Sequence, residues 1–149
     1  MIKILHSADW HLDAPMSGYT PEILRTLQSE SRKIPQTITR LCKEEGCDLL
    51  LLAGDLFDGA ASSETVSSVQ SALAALDIPV IITPGNHDFS SPDSPWKKEL
   101  WPENVHIFRS QEIESVALPE LNCRIYGAGF AGMDCPSLLE NFRGECDEK

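Results

Sequence analysis

The sequence predicts an α/β fold with a mainly parallel sheet flanked by helices, and three observations carry that expectation. Apolar runs at residues 2–8, 48–53 and 79–83 each end in a cluster of Gly, Asp, Asn or His. Between them lie stretches of helical period, long enough to serve as crossovers. Such a β-α-β-α-β order makes parallel strands with right-handed connections, and it lines the strand-end residues along one carboxyl edge.

The elements follow in order. Residues 2–8 read as a short, buried first strand running into Asp9. Tyr19-Thr20-Pro21 marks a helix start, since proline's fixed φ suits the first helical position. Ile34, Ile38, Leu41 and Cys42 recur at i, i+4, i+7 and i+8 as a core-facing stripe. Pro35 interrupts the ladder, so two helices are expected, the second opening at Pro35 and stopping at Gly46. The Leu-rich run at 48–53 suits a strand buried on both faces. Ser62-Ser63 caps a helix whose Val66, Val69, Leu73 and Leu76 share one side. The third strand, 79–83, is stopped by Pro84-Gly85. Residues 90–102, with three prolines, three serines and two tryptophans, read as a loop with at most a short helix. Short strands at 105–108, 116–118 and 124–128 are expected to continue the sheet. A helical turn is expected at 138–142, and a frayed polar end from Gly144.

At 149 residues the chain is about one domain long, enough to bury roughly two-thirds of its unfolded surface. The N-terminal apolar stretch turns polar too soon for a signal peptide. The longest apolar run is far below the ~18 residues that a membrane span needs. A cytoplasmic protein without a membrane partner is expected. Cys42, Cys47, Cys123, Cys135 and Cys146 form no Cys-x-x-Cys pair, and reduced thiols are expected, Cys42 and Cys123 in the core. The net charge of −11 shows no basic face for nucleic acid. Two divalent cations would bring it only to −7.

The three clusters carry the chemistry. Asp9 and His11 stand at i, i+2, which on an extended strand end points both side chains to one side. Asp55 follows a glycine that lets the backbone turn closely, and its two oxygens can bridge two cations. Asn86 adds a neutral amide oxygen, and the adjacent His87 is free to face a substrate. Singly, Asp-x-His arises often by chance, Gly-Asp is commonly a turn, and the rarer Gly-Asn-His-Asp can simply satisfy local backbone groups; three in this order, each ending a parallel-type strand, point to a metal site. Oxygen and imidazole donors without thiolate favour Mn²⁺, Fe²⁺ or Zn²⁺. Two such ions about 3.5–4 Å apart acidify a bridging water and clamp a phosphoryl oxygen.

Ile4-Leu5-His6-Ser7-Ala8-Asp9-Trp10-His11-Leu12-Asp13, Leu51-Leu52-Ala53-Gly54-Asp55-Leu56-Phe57-Asp58 and Ile82-Thr83-Pro84-Gly85-Asn86-His87-Asp88 together resemble the calcineurin-like metallophosphoesterase superfamily. Its signature is Asp-x-His, Gly-Asp and Gly-Asn-His-Asp/Glu. The wording is similar to the SbcD/YhaO-type group of bacterial DNA repair exonucleases. Val105-His106-Ile107-Phe108 and Arg124-Ile125-Tyr126-Gly127 extend that similarity over roughly residues 1–130. The resemblance implies a four-layer sandwich, with residues 1–149 a metallophosphoesterase (nuclease) domain incomplete at its C-terminal side. It implies metal-dependent phosphodiester hydrolysis at a dinuclear centre, most naturally with Mn²⁺.

On the family scheme Asp9 and His11 hold the first metal, Asp55 bridges, Asn86 holds the second, and His87 protonates the leaving oxygen. Asp13, Asp58 and Asp88 orient these ligands from behind. His6 and His106 are expected to serve packing, and Trp10, Trp96 and Trp101 to anchor loops or core. The family closes its site with a Gly-His and a Gly-His-x-His, and this chain has neither: its only histidine after His87 is His106. The second site is therefore expected to be incomplete, with truncation of a longer nuclease as the simplest explanation. The implied partners are DNA for the full-length parent and an SbcC-like ATPase; self-association through an exposed apolar edge is also expected. The alternatives are a phosphoesterase acting on a small phosphoester or cyclic nucleotide, and a catalytically silent truncated domain.

Overall fold

The computed structural model describes residues 1–135, 137 and 142–144. Residues 138–141 of the helical turn expected at 138–142, Cys146 and most of the polar end lie outside the described residues. The element order is β1 (Ile4–Ser7), α1 (Pro21–Ser31), α2 (Ile34–Glu45), β2 (Leu49–Ala53), α3 (Ser63–Ala74), β3 (Val80–Thr83), α4 (Pro95–Lys98), β4 (Val105–Ile107), β5 (Glu114–Leu118) and β6 (Cys123–Gly127). The first four strands form one parallel sheet in the order β1-β2-β3-β4. The fold is thus a mixed α/β domain with helices against a four-stranded parallel sheet, as the sequence predicts.

Helix boundaries fall where local chemistry sets them. Thr20 caps α1 by accepting from the Ile23 N–H, and Ser62 caps α3 by accepting from Thr65 N–H. Pro35 lies in the first turn of α2, and Gly46 closes that helix in the left-handed region at φ 60°. Along β2 the side chains alternate between two cores. Leu50 and Leu52 meet Cys42, Val66, Val69 and Leu73 from the helices, with Val80, Ile82 and Ile107 beside them. Leu49, with Ile81 and Phe108, faces Leu118 and the half-buried Val116 and Ile125 of the last two strands. Each large aliphatic side chain so buried contributes about 1.5–3 kcal/mol, which is why the Leu run belongs at the centre of the sheet.

Several expectations are corrected. β5 and β6 do not continue the parallel sheet; they pair antiparallel as a separate ribbon, Glu114 opposite Gly127 and Leu118 opposite Cys123. A two-stranded ribbon has one face to bury, and the Leu49–Ile81–Phe108 face of the main sheet supplies the cover. β1, expected to be buried, is instead the outer strand, with Ile4 49% exposed and His6 exposed rather than packed. Leu41 likewise sits at the margin of its stripe, 37% exposed. Cys42 is buried as expected, while Cys123 is only half-buried, and the four described cysteines are all free thiols. Among the described residues no helix is long and apolar enough to cross a membrane.

Candidate metal centre

The three clusters leave the carboxyl ends of β1, β2 and β3, which are neighbours in the sheet, so their loops start side by side. The first two loops then continue the parallel pairing beyond the strands. Asp9 N–H donates to Gly54 O, His11 N–H to Asp55 O and Leu12 N–H to Leu56 O, at 3.0–3.1 Å, and Asp58 N–H returns to Leu12 O at 3.1 Å. Leu12 and Phe57, both fully buried, anchor this stitched pair.

The backbone is bent sharply to do this. Asp9, His11, Asp13 and Asp55 all adopt positive φ, at 55°, 45°, 63° and 54°. Aspartate tolerates the left-handed region because its short side chain bonds locally. For the bulkier His11 the conformation is costly, and such strain collects at functional sites when the surrounding structure enforces it.

The third loop is fixed by Asp88, which is 4% exposed. Its Oδ1 accepts from Gly85 N–H (2.7 Å) and Asp55 N–H (3.2 Å), and its Oδ2 from Leu56 N–H (2.9 Å) and Phe57 N–H (3.3 Å). Burial pushes this carboxyl above the ordinary range, the N–H donors pull the other way, and the Asp55 charge adds to the rise. Trp96, fully buried between Phe57 and Trp101, donates its indole N–H to Asp88 O. Behind the loop, Phe130 N–H donates to Pro84 O (3.0 Å) and Phe130 O accepts from Ser90 N–H (2.7 Å).

Two glycines let the second and third loops touch. A Cβ on Gly85 would lie 2.2 Å from Asp55 Oδ1, and one on Gly54 would lie 3.0 Å from Gly85 Cα. With both bare, His87 N–H donates to Asp55 Oδ1 at 2.9 Å. Asn86, half-buried between Gly85 and His87, is thereby held in the loop that grips the Asp55 carboxylate.

These contacts gather Asp9, His11, Asp55, Asp58 and His87 at one spot. Asp9, His11 and Asp55 each offer a ligand atom, all within 4.8 Å of one another, and so do His11, Asp58 and His87. His11 belongs to both groups through different nitrogens: Nε2 lies 3.7 Å from Asp9 Oδ1, and Nδ1 3.7 Å from Asp58 Oδ1. Both separations exceed hydrogen-bond length; a neutral imidazole has one lone pair, so His11 can ligate a cation through Nε2 beside Asp9 while its Nδ1–H is turned toward Asp58. The set is oxygen and imidazole only, the chemistry that fits a hard or borderline divalent ion. His87 differs: its Nδ1 donates to Asp58 Oδ1 at 2.7 Å, which orients the ring and leaves Nε2 unspent. The His11 and His87 rings meet edge to face, 4.9 Å between centroids.

The residues expected to orient ligands divide in two. Asp88 and Asp58 touch the cluster directly, and Asp58 moreover reaches both histidines, a convergence that no spacing in the sequence announces. Asp13 binds elsewhere, accepting from Ser62 N–H (3.0 Å) and Arg32 Nη2 (3.3 Å). Burial alone would raise its carboxyl, but donors from Ser62, Thr65 and Arg32 hold it below the ordinary range. It ties the loop bearing Asp9 and His11 to the start of α3. Sequence reasoning missed Phe130 and Ser90, whose contribution is backbone. The tryptophans serve as anchors: Trp10 donates to Ser7 Oγ (2.9 Å) and Trp101 to Pro95 O (3.1 Å).

Comparison with known proteins identifies the family. An uncharacterized metallophosphoesterase of Bacillus subtilis (strain 168), YhaO, is 32% identical over 148 residues. The match covers 94% of this chain but only 36% of that relative. The family model for calcineurin-like phosphoesterases matches residues 2–132, from the start of the sheet to just past the Phe130 clamp. On that span of agreement, this chain belongs to the calcineurin-like phosphoesterase family.

Proposed function

We propose that the chain carries the front of a phosphodiesterase centre that uses two divalent ions, Mn²⁺ first, with DNA as substrate in the manner of an SbcD/YhaO-type repair exonuclease. The single observation that supports this best is His11, which offers one imidazole nitrogen to the Asp9 group and the other to Asp58, beside an Asp58-oriented His87. Asp9, His11 and Asp55 would hold one ion, with Asp55 and Asn86 turned to the second. Bound ions would supply Lewis acidity toward the phosphoryl group and an acidified water.

The chain's own residues supply the rest. Water adds to phosphorus and releases a proton to solvent, the bond from phosphorus to the leaving oxygen breaks, and His87, acting as the imidazolium, gives that oxygen the proton on Nε2 and is left as the neutral Nδ1–H imidazole. Asp58 accepts from Nδ1–H throughout and so holds the ring in the orientation that this needs. We place this activity in the cytoplasm, with an SbcC-like ATPase supplying the grip on DNA that a chain of net charge −11 lacks. That same acidity favours a second reading, a small phosphoester or cyclic nucleotide as substrate.

The test incubates the chain with Mn²⁺ and linear duplex DNA, bis(p-nitrophenyl) phosphate or a cyclic nucleotide, beside an Asp55→Asn variant. Nucleotide release from DNA that Asp55→Asn abolishes supports the proposal. Turnover of the small esters alone overturns the DNA assignment. Mn²⁺ titration by calorimetry is expected to show fewer than two tight sites, and Asp55→Asn to weaken the binding; an unchanged isotherm overturns the role given to Asp55.

A further inference from the structure

A cleft of about 190 Å³ is lined by His87 together with Ala60, Phe89 and Pro95. One of its lining residues is thus the one that, on the reading above, hands a proton to the leaving group. Pockets that enclose a whole small-molecule ligand run to about 300–1,000 Å³. This one therefore takes a part of a substrate. Its lining surface is mainly apolar, and the half-buried Phe89 is the one phenyl side chain among its lining residues. Asp93, which also lines it, is ion-paired with Lys98 at 2.6 Å, so neither charge is free to recruit a second phosphate. A neutral, flat group with an apolar face and polar edges fits these walls.

We propose that this cleft is a base-binding subsite: it receives the nucleobase of the nucleoside that departs, stacked on Phe89. The proposal rests on the assignment of His87 as the leaving-group acid and narrows the substrate class to diesters whose leaving group is a nucleoside. Stacking on an aromatic side chain is indifferent to base identity, because every base presents a π-face. The subsite therefore selects nucleic acid over simple phosphoesters without selecting a sequence. Cleft and acid share one loop: His87 and Phe89 flank Asp88, whose four N–H contacts hold both in register.

Two measurements test it. Saturation-transfer NMR with deoxyadenosine, on the metal-free chain, should show transfer to the base protons. That transfer should fall about fivefold or more in Phe89→Ala, and similarly in Ala60→Leu, which fills the cleft from the exposed wall. Phe89→Tyr should retain it. Absent binding to the wild-type chain, or transfer undiminished in both cleft variants, overturns the subsite. In the second measurement, kcat/KM with Mn²⁺ is compared between a dinucleotide and the same diester with an abasic leaving residue. The ratio should favour the base by about tenfold and approach one in Phe89→Ala. Equal hydrolysis of both diesters by the wild type sinks the subsite while the phosphodiesterase reading stands. Base binding that depends on Phe89, without hydrolysis of either diester, sinks the phosphodiesterase reading and leaves the subsite.

Discussion

Asp9 leaves 71% of its side chain exposed on a backbone bent into the left-handed region, whereas Asp88 is 4% exposed and accepts four backbone N–H groups. Both are aspartates in the loops of one site. The first loop borrows its order from β2 and its loop, through main-chain bonds that leave its side chains open to solvent. The third loop is built around a buried carboxylate that organises the second loop as well. The difference separates two jobs that the sequence writes with the same letter: Asp9 is offered outward to a ligand, and Asp88 is spent inward on the fold.

Breaking the inward member should have the largest effect. Asp88→Ala strands the N–H groups of Gly85, Asp55, Leu56 and Phe57 and should cost about 3 kcal/mol or more, read as a lower denaturant midpoint. A loss below about 1 kcal/mol would contradict the organising role. Next comes Gly85→Ala, whose methyl collides with Asp55 Oδ1. It should cost about 1–3 kcal/mol and displace the carboxylate, so Mn²⁺ affinity should fall along with stability.

A smaller effect is expected from His106, which lies on neither side of the comparison and serves as its control. Burial lowers the affinity of this imidazole for a proton, the Glu114 charge opposes that, and the Arg109 charge reinforces it. Its Nε2 has no hydrogen-bond partner among the described residues. The unfolded chain therefore takes up the proton more readily than the folded one. The stability tied to neutral His106 is present above the unfolded pKa of about 6.5 and is lost as pH falls through the lower folded value. His106→Gln should flatten the fall in denaturant midpoint between pH 7 and pH 5, and an unaltered slope would dismiss the effect. The smallest stability change belongs to Asp9→Asn, within about 0.5 kcal/mol because the side chain is exposed and asparagine tolerates positive φ. Its Mn²⁺ affinity should nevertheless drop about tenfold or more. A stability loss as large as that of Asp88→Ala would erase the contrast between the two loops.

Much of this was legible in the chain itself. Strand ends, helix caps and the three clusters are local features: Thr20, Ser62, Pro35 and Gly46 act on their own turns, and an apolar run ending in Gly-Asp needs no distant partner to be recognised. What was not legible depends on register and layers. That β1 would be an outer strand follows from strand order, which the composition of residues 2–8 does not encode. That β5 and β6 form their own ribbon follows from the need to cover the Leu49 face. The assignment of Asp13 failed to anticipate α3 because its partners, Ser62 and Thr65, stand far along the chain. Asp58 was placed near the site, but its bond to His87 is set by the approach of Gly54 to Gly85 rather than by any motif.

The clamp at Phe130 has a consequence for how the site comes into being. Phe130 holds the Gly-Asn-His-Asp turn on both sides, at Pro84 and at Ser90, yet it follows every candidate ligand in the chain. Synthesis runs from the N-terminus, and domains fold as their chain is delivered. A ribosome that has released all four parallel strands has therefore released Asp9, His11, Asp55, Asn86 and His87 without the segment that steadies the last two. The loops of the metal centre are therefore steadied only after the segment beyond β6, which carries none of these candidate ligands, has turned back to the Gly-Asn-His-Asp turn.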